Sequence, residues 1–440
     1  MMNQKDKRPV RPIIRALSYR NFRLYFVGQG VSLIGTWMQR VALGWLVYSL
    51  THSAFLLGVV GFAGQIPTFV LAPFAGVLAD RWSRHRLLIW TQVLAMLQAF
   101  VLSYLILAGT IKIWHIVALS LVLGVVTAFD MPVRQSFMIQ MIEEKADLGN
   151  AIALNSSMVN CARLLGPTIA GLLISAVGEG ICFLINGLSY LAVIVSLLMM
   201  RIVRQNFRAQ KSRAWHDLKD GFRYVYDFEP IRDIILLLAL VSLTGMPYVV
   251  LMPVFAKDVL HGGPDALGFL MGASGVGALA GALYLASRRG VLGLGKMIPI
   301  GAGMFGLGLV AFSLSLSFFW SLILVAAVGL GQMIQLATSN TLLQTMVDDE
   351  RRGRVMSFYT VAFIGVAPFG SLLAGALAGA IGAPWTVLIG GAACLGGAGV
   401  FARRLPQLRE KARPTYVTRG ILPEVTTGTE STTDASVPRK

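Results

Sequence analysis

Twelve long apolar stretches run through this chain, and they restrict its fold more than any other feature. Each extends for roughly 20 residues or more, which lets an α-helix cross a hydrocarbon core ~30 Å thick. Their approximate ranges are 22–50, 54–79, 87–109, 113–140, 150–176, 181–200, 234–256, 266–287, 296–316, 318–345, 354–381 and 384–401. Charged residues make up only 13% of the 440 residues, whereas soluble chains carry about 25%. We therefore expect an all-α integral membrane protein with twelve transmembrane helices rather than a large soluble helical protein.

The basic residues lie in alternate loops between these stretches. The formal net charge is +17, which by itself would fit a nucleic-acid partner. The clusters fall at 5–23, 81–86, 201–232, 288–296, 351–354 and 403–413, while the intervening loops hold few basic residues. This alternation follows the positive-inside rule. We expect no nucleic-acid partner, a multi-pass protein of the bacterial cytoplasmic (inner) membrane, and both termini in the cytoplasm.

A long polar stretch at 201–233 divides the apolar stretches into six and six. Within it, Trp215, Leu218, Phe222 and Val225 recur at helical spacing, which predicts an amphipathic helix on the cytoplasmic headgroups. The expected organisation is a cytoplasmic N-terminus at 1–21, a six-helix bundle at 22–200, this linker, a second six-helix bundle at 234–404, and a disordered cytoplasmic tail at 405–440.

Glycines repeat between the two halves at a fixed offset of 204 positions. The pairs are Gly149 and Gly353, Gly166 and Gly370, Gly171 and Gly375, and Gly178 and Gly382. Small residues let helix backbones approach closely, so repeated glycines indicate equivalent packing points in two duplicated bundles. Two six-helix repeats around a midplane site are typical of secondary transporters.

A dense charge cluster follows the second apolar stretch. The segment GVLADRWSRHR contains Gly76, Asp80, Arg81, Arg84 and Arg86. It resembles the signature of the major facilitator superfamily, which implies two pseudo-symmetric six-helix bundles. In that family the aspartate faces the start of the eleventh span. We interpret the segment as a gating latch, because a helix N-terminus stabilises a carboxylate by about 0.3–1 kcal/mol, and by up to ~2 kcal/mol when partly buried.

A narrower resemblance rests on three segments. They are GTWMQRVALGWLVYSLTHSA in the first span, FDMPVRQS in the fourth and NCARLLGPTIAG in the fifth. Together they are similar to the transmembrane secretion effector branch, which includes enterobactin-type siderophore exporters. The element formed by Gly166, Pro167 and Gly171 also resembles the fifth-span motif of drug/proton antiporters. The resemblance implies efflux of siderophore-like or drug-like compounds, and these three residues are expected to pack helices together.

Four charged residues lie inside predicted spans and away from their ends, where an Arg or Asp costs roughly 2.5–3.5 kcal/mol on insertion scales. Asp130 and Arg134 share one helix face, and Arg163 on the next helix lies at a similar depth. These three form either a buried charge network that supports the latch or, through Asp130, a proton carrier. Arg40 suits an anionic substrate, with snorkelling or a backbone carbonyl partner as the alternative. Gln29, Gln65 and Gln335 are the other candidates for a substrate cavity.

We expect a secondary active transporter, specifically a proton-coupled exporter that moves small organic compounds by alternating access. The alternative is a lipid or lysophospholipid flippase, or a non-transporting membrane receptor on the same fold. The expected partners are a small-molecule substrate, protons and membrane lipids, in a monomer without cofactor or metal. The sequence has no GxxxxGK[ST] phosphate loop, which disfavours an ATP-driven pump, and no nucleophile–base set indicates an enzyme.

Overall fold

The computed structural model describes the backbone of residues 12–81, 83–201, 214–288 and 290–418, and the side chains of these except 12–13, 72–81, 145, 214–220, 349–350 and 418. Every regular element in the described residues is helical. The α-helices are α1 (Arg20–Thr51), α2 (Ala54–Arg81), α3 (Arg84–Leu107), α4 (Ile113–Gln140), α5 (Leu148–Val177), α6 (Glu179–Leu198), α7 (Ala214–Asp227), α8 (Glu229–Leu240), α9 (Tyr248–Val254), α10 (Pro264–Ala286), α11 (Leu294–Ser313), α12 (Phe318–Met346), α13 (Asp349–Thr360), α14 (Ala367–Ile381) and α15 (Ala383–Thr418).

The helices supply the twelve predicted spans. By length and apolar composition, 11 membrane-crossing segments are found in the described residues. The twelfth is α1, whose 32 residues extend for about 48 Å. Its mean hydropathy is lowered by polar residues such as Gln29, Gln39 and Arg40. The expected all-helical, twelve-span architecture is therefore confirmed.

Short π-helical segments interrupt two spans of the second half. Val241–Gly245 joins α8 to α9, Phe255–Val259 extends α9, and Val361–Gly365 joins α13 to α14. The residue that follows each segment donates its backbone N–H to the carbonyl five residues earlier, as Met246 does to Val241 at 3.0 Å. Such a bulge inserts one extra residue into the α-helical ladder and frees carbonyl groups nearby.

The helices form two bundles that lie side by side, and both bundles contribute to each end of the molecule. Helices α1–α6 form the N-bundle and α8–α15 the C-bundle, and the main contacts between the two are α5 against α10 and α2 against α14. We call the end that carries Arg20, α7 and Thr418 the terminal face. The opposite end, which carries His52, Gly178 and Gly382, is the distal face.

The repeated glycines occupy equivalent places in the two bundles. A β-carbon on Gly166 would stand 3.0 Å from the Ile34 carbonyl oxygen of α1, and one on Gly370 would stand 2.6 Å from the Leu243 carbonyl oxygen of the seventh span. Gly178 and Gly382 end α5 and α14 with φ angles of 82° and 86°, a conformation that glycine adopts without strain. The offset found in the sequence therefore corresponds to equivalent crossings and helix ends.

Another repeated pair joins the bundles to each other. A β-carbon on Gly171 of α5 would lie 2.9 Å from the Gly268 Cα of α10, and one on Gly375 of α14 would lie 2.7 Å from the Gly58 Cα of α2. Backbone meets backbone at both crossings. The close approach of the bundles near the distal face thus depends on the absence of side chains.

The chain after the last span differs from the expected tail. The sequence predicts disorder from residue 405, but α15 continues to Thr418. Leu408 and Ala412 keep only 4% and 5% of their surface exposed, so apolar burial extends the helix beyond the predicted boundary. Residues 419–440 lie outside the described part of the chain. The predicted linker helix forms as α7, and its Gly221 packs against Arg354 and Phe358 of α13.

Candidate functional site: a basic chamber between the bundles

The middle of α1 faces the gap between the bundles. Gly44 approaches the C-bundle, since its β-carbon would stand 3.3 Å from the Pro253 side chain of α9. Arg40 lies one turn earlier on the same side of α1, about 16 Å along the helix from its distal end, and its side chain is exposed. An exposed arginine at that depth, on the side that faces the other bundle, lines an internal chamber.

Two arginines approach one tryptophan in this chamber. The guanidinium carbon of Arg40 lies 4.6 Å from the Trp37 ring centroid, and that of Arg163 lies 5.9 Å from it. Gly166 permits this arrangement, because its missing side chain lets α5 cross α1 at the Trp37 β-carbon. A cation over an aromatic face gains about 0.5–1 kcal/mol when exposed, and about 2 kcal/mol or more when desolvated.

Arg163 also connects the two bundles. Its Nη2 donates a hydrogen bond of 2.9 Å to Oε1 of Gln332 on α12. Both residues are about 21 Å from the distal ends of their helices, so the contact lies near the middle of the molecule. On the C-bundle side, the Tyr248 hydroxyl is 3.0 Å from the Ser274 hydroxyl, and Tyr248 lies within electrostatic range of Arg163.

The chamber carries positive charge without a matching carboxylate. Among the described residues, neither Arg40 nor Arg163 forms an ion pair, and the two lie within electrostatic range of each other. Two guanidinium groups held this way attract an anion by charge and by paired hydrogen bonds. The charge of the chamber therefore favours carboxylate or phosphate groups as ligands.

The distal side of the chamber is closed by contacts between bundles. The Tyr48 hydroxyl donates to the Asp258 carboxylate, and the Ser175 hydroxyl donates to Asp265 at 3.4 Å. Lys257 lies 5.8 Å from the Trp45 ring centroid. Two further hydrogen bonds join the bundles, from Arg163 to Gln332 and from Gln65 to Ser371. All four lie between the distal end and the middle of the spans.

Asp130 belongs to a separate network inside the N-bundle. Its carboxylate pairs with Arg134 and accepts hydrogen bonds from Thr91 at 2.9 Å and Gln92 at 2.6 Å. Only 3% of its surface is exposed. The proposed grouping of Asp130 with Arg163 does not form, because Arg163 turns towards Gln332 across the bundle interface. Depth along neighbouring helices does not determine which face of its helix a side chain occupies, and Arg163 lies on the face of α5 towards the C-bundle.

The predicted cavity glutamines take different roles. Gln65 donates to the Gly61 carbonyl oxygen and to the Ser371 hydroxyl, which makes it part of the contact between α2 and α14. Gln29 and Gln335 are buried, and Gln29 Oε1 and Gln335 Nε2 have no hydrogen-bond partner among the described residues. Gln29 shares the Arg40 side of α1, since eleven residues are close to three full turns. Each therefore keeps one buried polar atom that no described residue satisfies.

The predicted latch is only partly described. The side chains of Gly76, Asp80 and Arg81 lie outside the described residues, although the backbone of all three belongs to α2. Arg84 and Arg86 begin α3. The proposed partner of the latch, the start of α13, packs against α7, and Arg351 lies 4.9 Å from the Tyr224 ring centroid. Of the predicted packing residues, Gly166, Pro167 and Gly171 are all buried.

Sequence reasoning did not identify the distal closure or the bridge between bundles. Tyr48 and Asp258 are 210 positions apart, and no local pattern links a tyrosine at the end of the first span to an acid beyond the seventh. Gln332 was one of many polar residues within spans. Spacing along the helix does not identify which of these polar residues meets the other bundle.

The sequence matches the transmembrane secretion effector family over residues 14–424. A staphyloferrin A transporter of Staphylococcus aureus is 26% identical over 80% of this chain and 88% of its own. The multidrug efflux pump Tap of Mycolicibacterium fortuitum is 28% identical over 84% of this chain and 92% of its own. The macrolide efflux protein A of Streptococcus pyogenes is 24% identical over 85% and 94%.

Solved structures share the fold. An inward-facing bacterial homologue of the iron transporter ferroportin superposes with a TM-score of 0.67 at 18% identity, covering 88% of this chain and 98% of that one. A bacterial homologue of the human lysosomal transporter Spinster, also inward-facing, gives a TM-score of 0.64 at 12% identity, covering 93% and 98%. The chain therefore belongs to the transmembrane secretion effector family of the major facilitator superfamily, and it is a multi-pass membrane transporter of small molecules.

Proposed function

We propose that this chain is a proton-coupled exporter of small organic anions, oriented with its terminal face towards the cytoplasm of a bacterial cell. Two of its relatives are named as efflux proteins, which supports export as the direction of transport. The basic loops at the terminal face support the orientation, because positively charged loops are retained on the cytoplasmic side. The contacts on the distal half then correspond to an inward-facing state, with the chamber accessible from the cytoplasm.

One observation carries the choice of cargo. Arg40 and Arg163 face one chamber around Trp37, and no carboxylate of the described residues neutralises them. Two arginines inside a membrane are costly unless a partner compensates their charge. A cargo with one or more carboxylates supplies that partner, and an apolar or aromatic part of the cargo fits against Trp37. A siderophore-like molecule with carboxylates meets both requirements.

The bridge between Arg163 and Gln332 suggests how binding leads to movement. Gln332 occupies one donor of the Arg163 guanidinium in the closed-distal state. A cargo carboxylate competes for that donor, because it adds a full negative charge and can accept two parallel hydrogen bonds from one guanidinium group. Displacing Gln332 removes a contact between the bundles at the middle of the spans. Of the hydrogen bonds described above, only those nearer the distal face then hold the bundles together. Bound cargo therefore shifts the population towards the distal-open state.

The Asp130 network supports a structural role rather than proton transfer. Arg134, Thr91 and Gln92 together donate to the carboxylate, and each bond stabilises its ionised form. We propose proton coupling without assigning the proton to Asp130. Transport by the Asp130→Asn variant decides whether this acid carries the proton. Full gradient-driven transport in that variant, with normal protein levels, assigns Asp130 to structure.

The test is uptake into everted membrane vesicles under an imposed pH gradient, with a panel of carboxylate-bearing, neutral and cationic compounds. Uptake of anionic compounds that disappears with the gradient is the expected result. Arg40→Gln should raise the apparent KM for these compounds by roughly 10–100-fold, which corresponds to losing one charged hydrogen bond. Arg23→Gln, an exposed arginine at the terminal face, is the matched control and should leave KM unchanged.

Three outcomes contradict the proposal. Transport confined to neutral or cationic compounds would show that the cargo is not anionic. Uptake that is equal with and without the gradient removes proton coupling. Accelerated scrambling of fluorescent lipids in reconstituted liposomes, without transport of any soluble compound, replaces the exporter with a lipid flippase.

A further inference from the structure

A second cavity lies away from the chamber, in the C-bundle at its terminal face. It is a groove of about 430 Å³ between the start of α8, the start of α11 and the extended end of α15. We call it the α15 groove. Its apolar wall includes Ile234, Val291, Ile298, Phe401, Leu405 and Leu408. The part of α15 beyond the predicted last span forms one side, so the unexpected length of this helix creates the groove.

Basic residues surround this apolar wall. Lys296, Arg409 and Arg413 line the α15 groove, and the lining contains no acid. All three side chains are exposed. Among the described residues none of the three forms an ion pair or a hydrogen bond through its side chain. The rim is therefore an uncompensated cluster of positive charge directly above an apolar trough.

A fourth cation lies beside the groove with unused donor capacity. A β-carbon on Gly293, which lines the groove, would stand 3.6 Å from Nη2 of Arg288. The Arg288 Nη1 is buried and has no hydrogen-bond partner in the described part of the chain. A buried guanidinium nitrogen without an acceptor costs free energy unless a ligand supplies one.

Nearby acids do not neutralise this rim. Glu229 and Asp233 flank the groove residues Pro230 and Ile234, but both are already engaged. Lys411 binds Glu229 at 2.6 Å, and Arg404 binds Asp233 at 2.8 Å. Glu410 is exposed and forms no ion pair with another described residue. The ion pairs use other cations of α15, which leaves Arg409 and Arg413 for an external anion.

We propose that the α15 groove binds an anionic phospholipid, with one acyl chain against the apolar wall and the headgroup phosphate among Arg288, Lys296, Arg409 and Arg413. Charge complementarity and the apolar trough beneath it select a lipid over a soluble anion. With the terminal face in the cytoplasm, the groove opens at the leaflet whose surface is rich in anionic lipid, and basic pockets between helices on that side bind acidic headgroups. Tyr416 at the groove edge suits the headgroup level, where aromatic residues are enriched.

This site is independent of the cargo chamber. It involves different helices, lies at the terminal face, and would hold its ligand in any step of the transport cycle that keeps α8, α11 and α15 together. Lipid binding here neither requires nor implies proton-coupled export.

Native mass spectrometry of the purified full chain in detergent tests the proposal. The probes are dioleoylphosphatidylglycerol, dioleoylphosphatidylcholine and the soluble headgroup glycerol 3-phosphate. We expect the anionic lipid to remain bound at concentrations where phosphatidylcholine does not. The triple variant Lys296→Gln, Arg409→Gln, Arg413→Gln should weaken retention of the anionic lipid at least tenfold. The matched control is Arg20→Gln, Arg23→Gln, Arg201→Gln, which removes three exposed charges from the N-bundle end of the same face and should change retention less than twofold.

A second variant tests the apolar part without changing charge. Gly295 lines the α15 groove, and its β-carbon would meet only Leu405 Cδ1, at 3.7 Å. Gly295→Leu therefore fills the trough without a backbone clash and should also reduce retention at least tenfold. Equal retention in the charge triple and its control overturns the proposal, as does unchanged retention in Gly295→Leu. Displacement of the lipid by glycerol 3-phosphate at equal concentration shows an anion site rather than a lipid site.

Discussion

The N-bundle and the C-bundle place glycines at equivalent crossings, yet their interiors carry different polar groups. Asp130, Arg134 and Arg163 correspond, at the repeat offset of 204, to Ile334, Thr338 and Ala367. The N-bundle thus contains an ion pair with two further donors, while the C-bundle has apolar or small residues at these places. The Thr338 hydroxyl has no partner among the described residues.

The C-bundle, in contrast, has the more irregular helix backbone. The three π-helical segments of the described chain all lie in the C-bundle, and the corresponding first and fifth spans run as continuous helices α1 and α5. The comparison indicates a division of roles after duplication. Buried polar networks stiffen the N-bundle, and interrupted helices allow the C-bundle to bend. Glycine crossings are retained because they need only the absence of a side chain.

The largest expected effect comes from removing the buried ion pair of the N-bundle. Arg134→Met leaves Asp130 as an unpaired buried carboxylate, which should lower the free energy of unfolding by about 3–5 kcal/mol. The double variant Asp130→Leu, Arg134→Met should recover most of that loss, because no charge remains buried. Unfolding measured in detergent or bicelles, by thermal midpoint and by denaturant, checks both variants.

The C-bundle supplies the control for that measurement. Thr338→Val removes a buried hydroxyl that has no partner among the described residues, at the position equivalent to Arg134. We expect no loss of stability, because an unpaired buried hydroxyl itself costs about 1–3 kcal/mol. If Arg134→Met costs no more than Thr338→Val, the ion pair does not stiffen the N-bundle, and the proposed division of roles is wrong.

The next effect concerns the closure between the bundles. Tyr48→Phe removes the hydrogen bond to Asp258, and a bond to a charged group contributes about 1.5–3 kcal/mol. The distal-open population should therefore rise roughly 10–150-fold relative to the closed one. Spin labels at Thr110 and Leu316, on exposed distal loops of the two bundles, report the change as a longer distance.

Tyr104 provides the matched tyrosine. It lies near the distal end of α3 with 71% of its surface exposed, so Tyr104→Phe should leave the label distances unchanged. A distal distance that is the same in Tyr48→Phe and Tyr104→Phe would show that the Tyr48–Asp258 contact does not hold the bundles together.

A third variant tests the glycines that both halves share. Gly375→Ala places a β-carbon 2.7 Å from the Gly58 Cα, while Gly353→Ala meets nothing within 4 Å. Because the neighbour is backbone, the bundles must separate, at a cost of about 1–3 kcal/mol for overpacking. The Thr110–Leu316 distance should lengthen in Gly375→Ala only. A lengthening of similar size in Gly353→Ala would instead indicate a general effect of alanine on helix flexibility.

The sequence predicts the helices, their pairing in two halves and the shared glycines, because these depend on local patterns. Apolar length determines each span, and the fixed offset of Gly166 and Gly370 follows from duplication. The chamber is partly predictable for the same reason. An arginine in a span must find water, an anion or a partner, which made Arg40 a candidate for the substrate cavity, whereas Arg163 was expected in the network of Asp130.

The remaining features depend on how helices rotate and meet. Depth along the membrane suggested that Arg163 joins Asp130, whereas helix rotation directs it to Gln332 on the other bundle. The end of α15 follows from burial of Leu408 and Ala412 against the C-bundle, a tertiary contact that no hydropathy window contains. The π-helical segments also have tertiary partners that no local pattern contains, since the Ser242 hydroxyl of the first segment bonds to the Phe363 carbonyl oxygen of the third.

The smallest expected effect sharpens the comparison on the C-bundle side. The Ser242 hydroxyl, in the first π-helical segment, donates a hydrogen bond of 2.6 Å to the Phe363 carbonyl oxygen in the third. Ser242→Ala should cost about 0.5–1.5 kcal/mol and speed amide hydrogen exchange in both segments, since each loses its tie to the other. Thr36→Val is the N-bundle control, because the Thr36 hydroxyl bonds only to the Ser32 carbonyl oxygen of its own helix. Faster exchange in α1 than in the seventh and eleventh spans would mean that the N-bundle, and not the C-bundle, is the more easily deformed half.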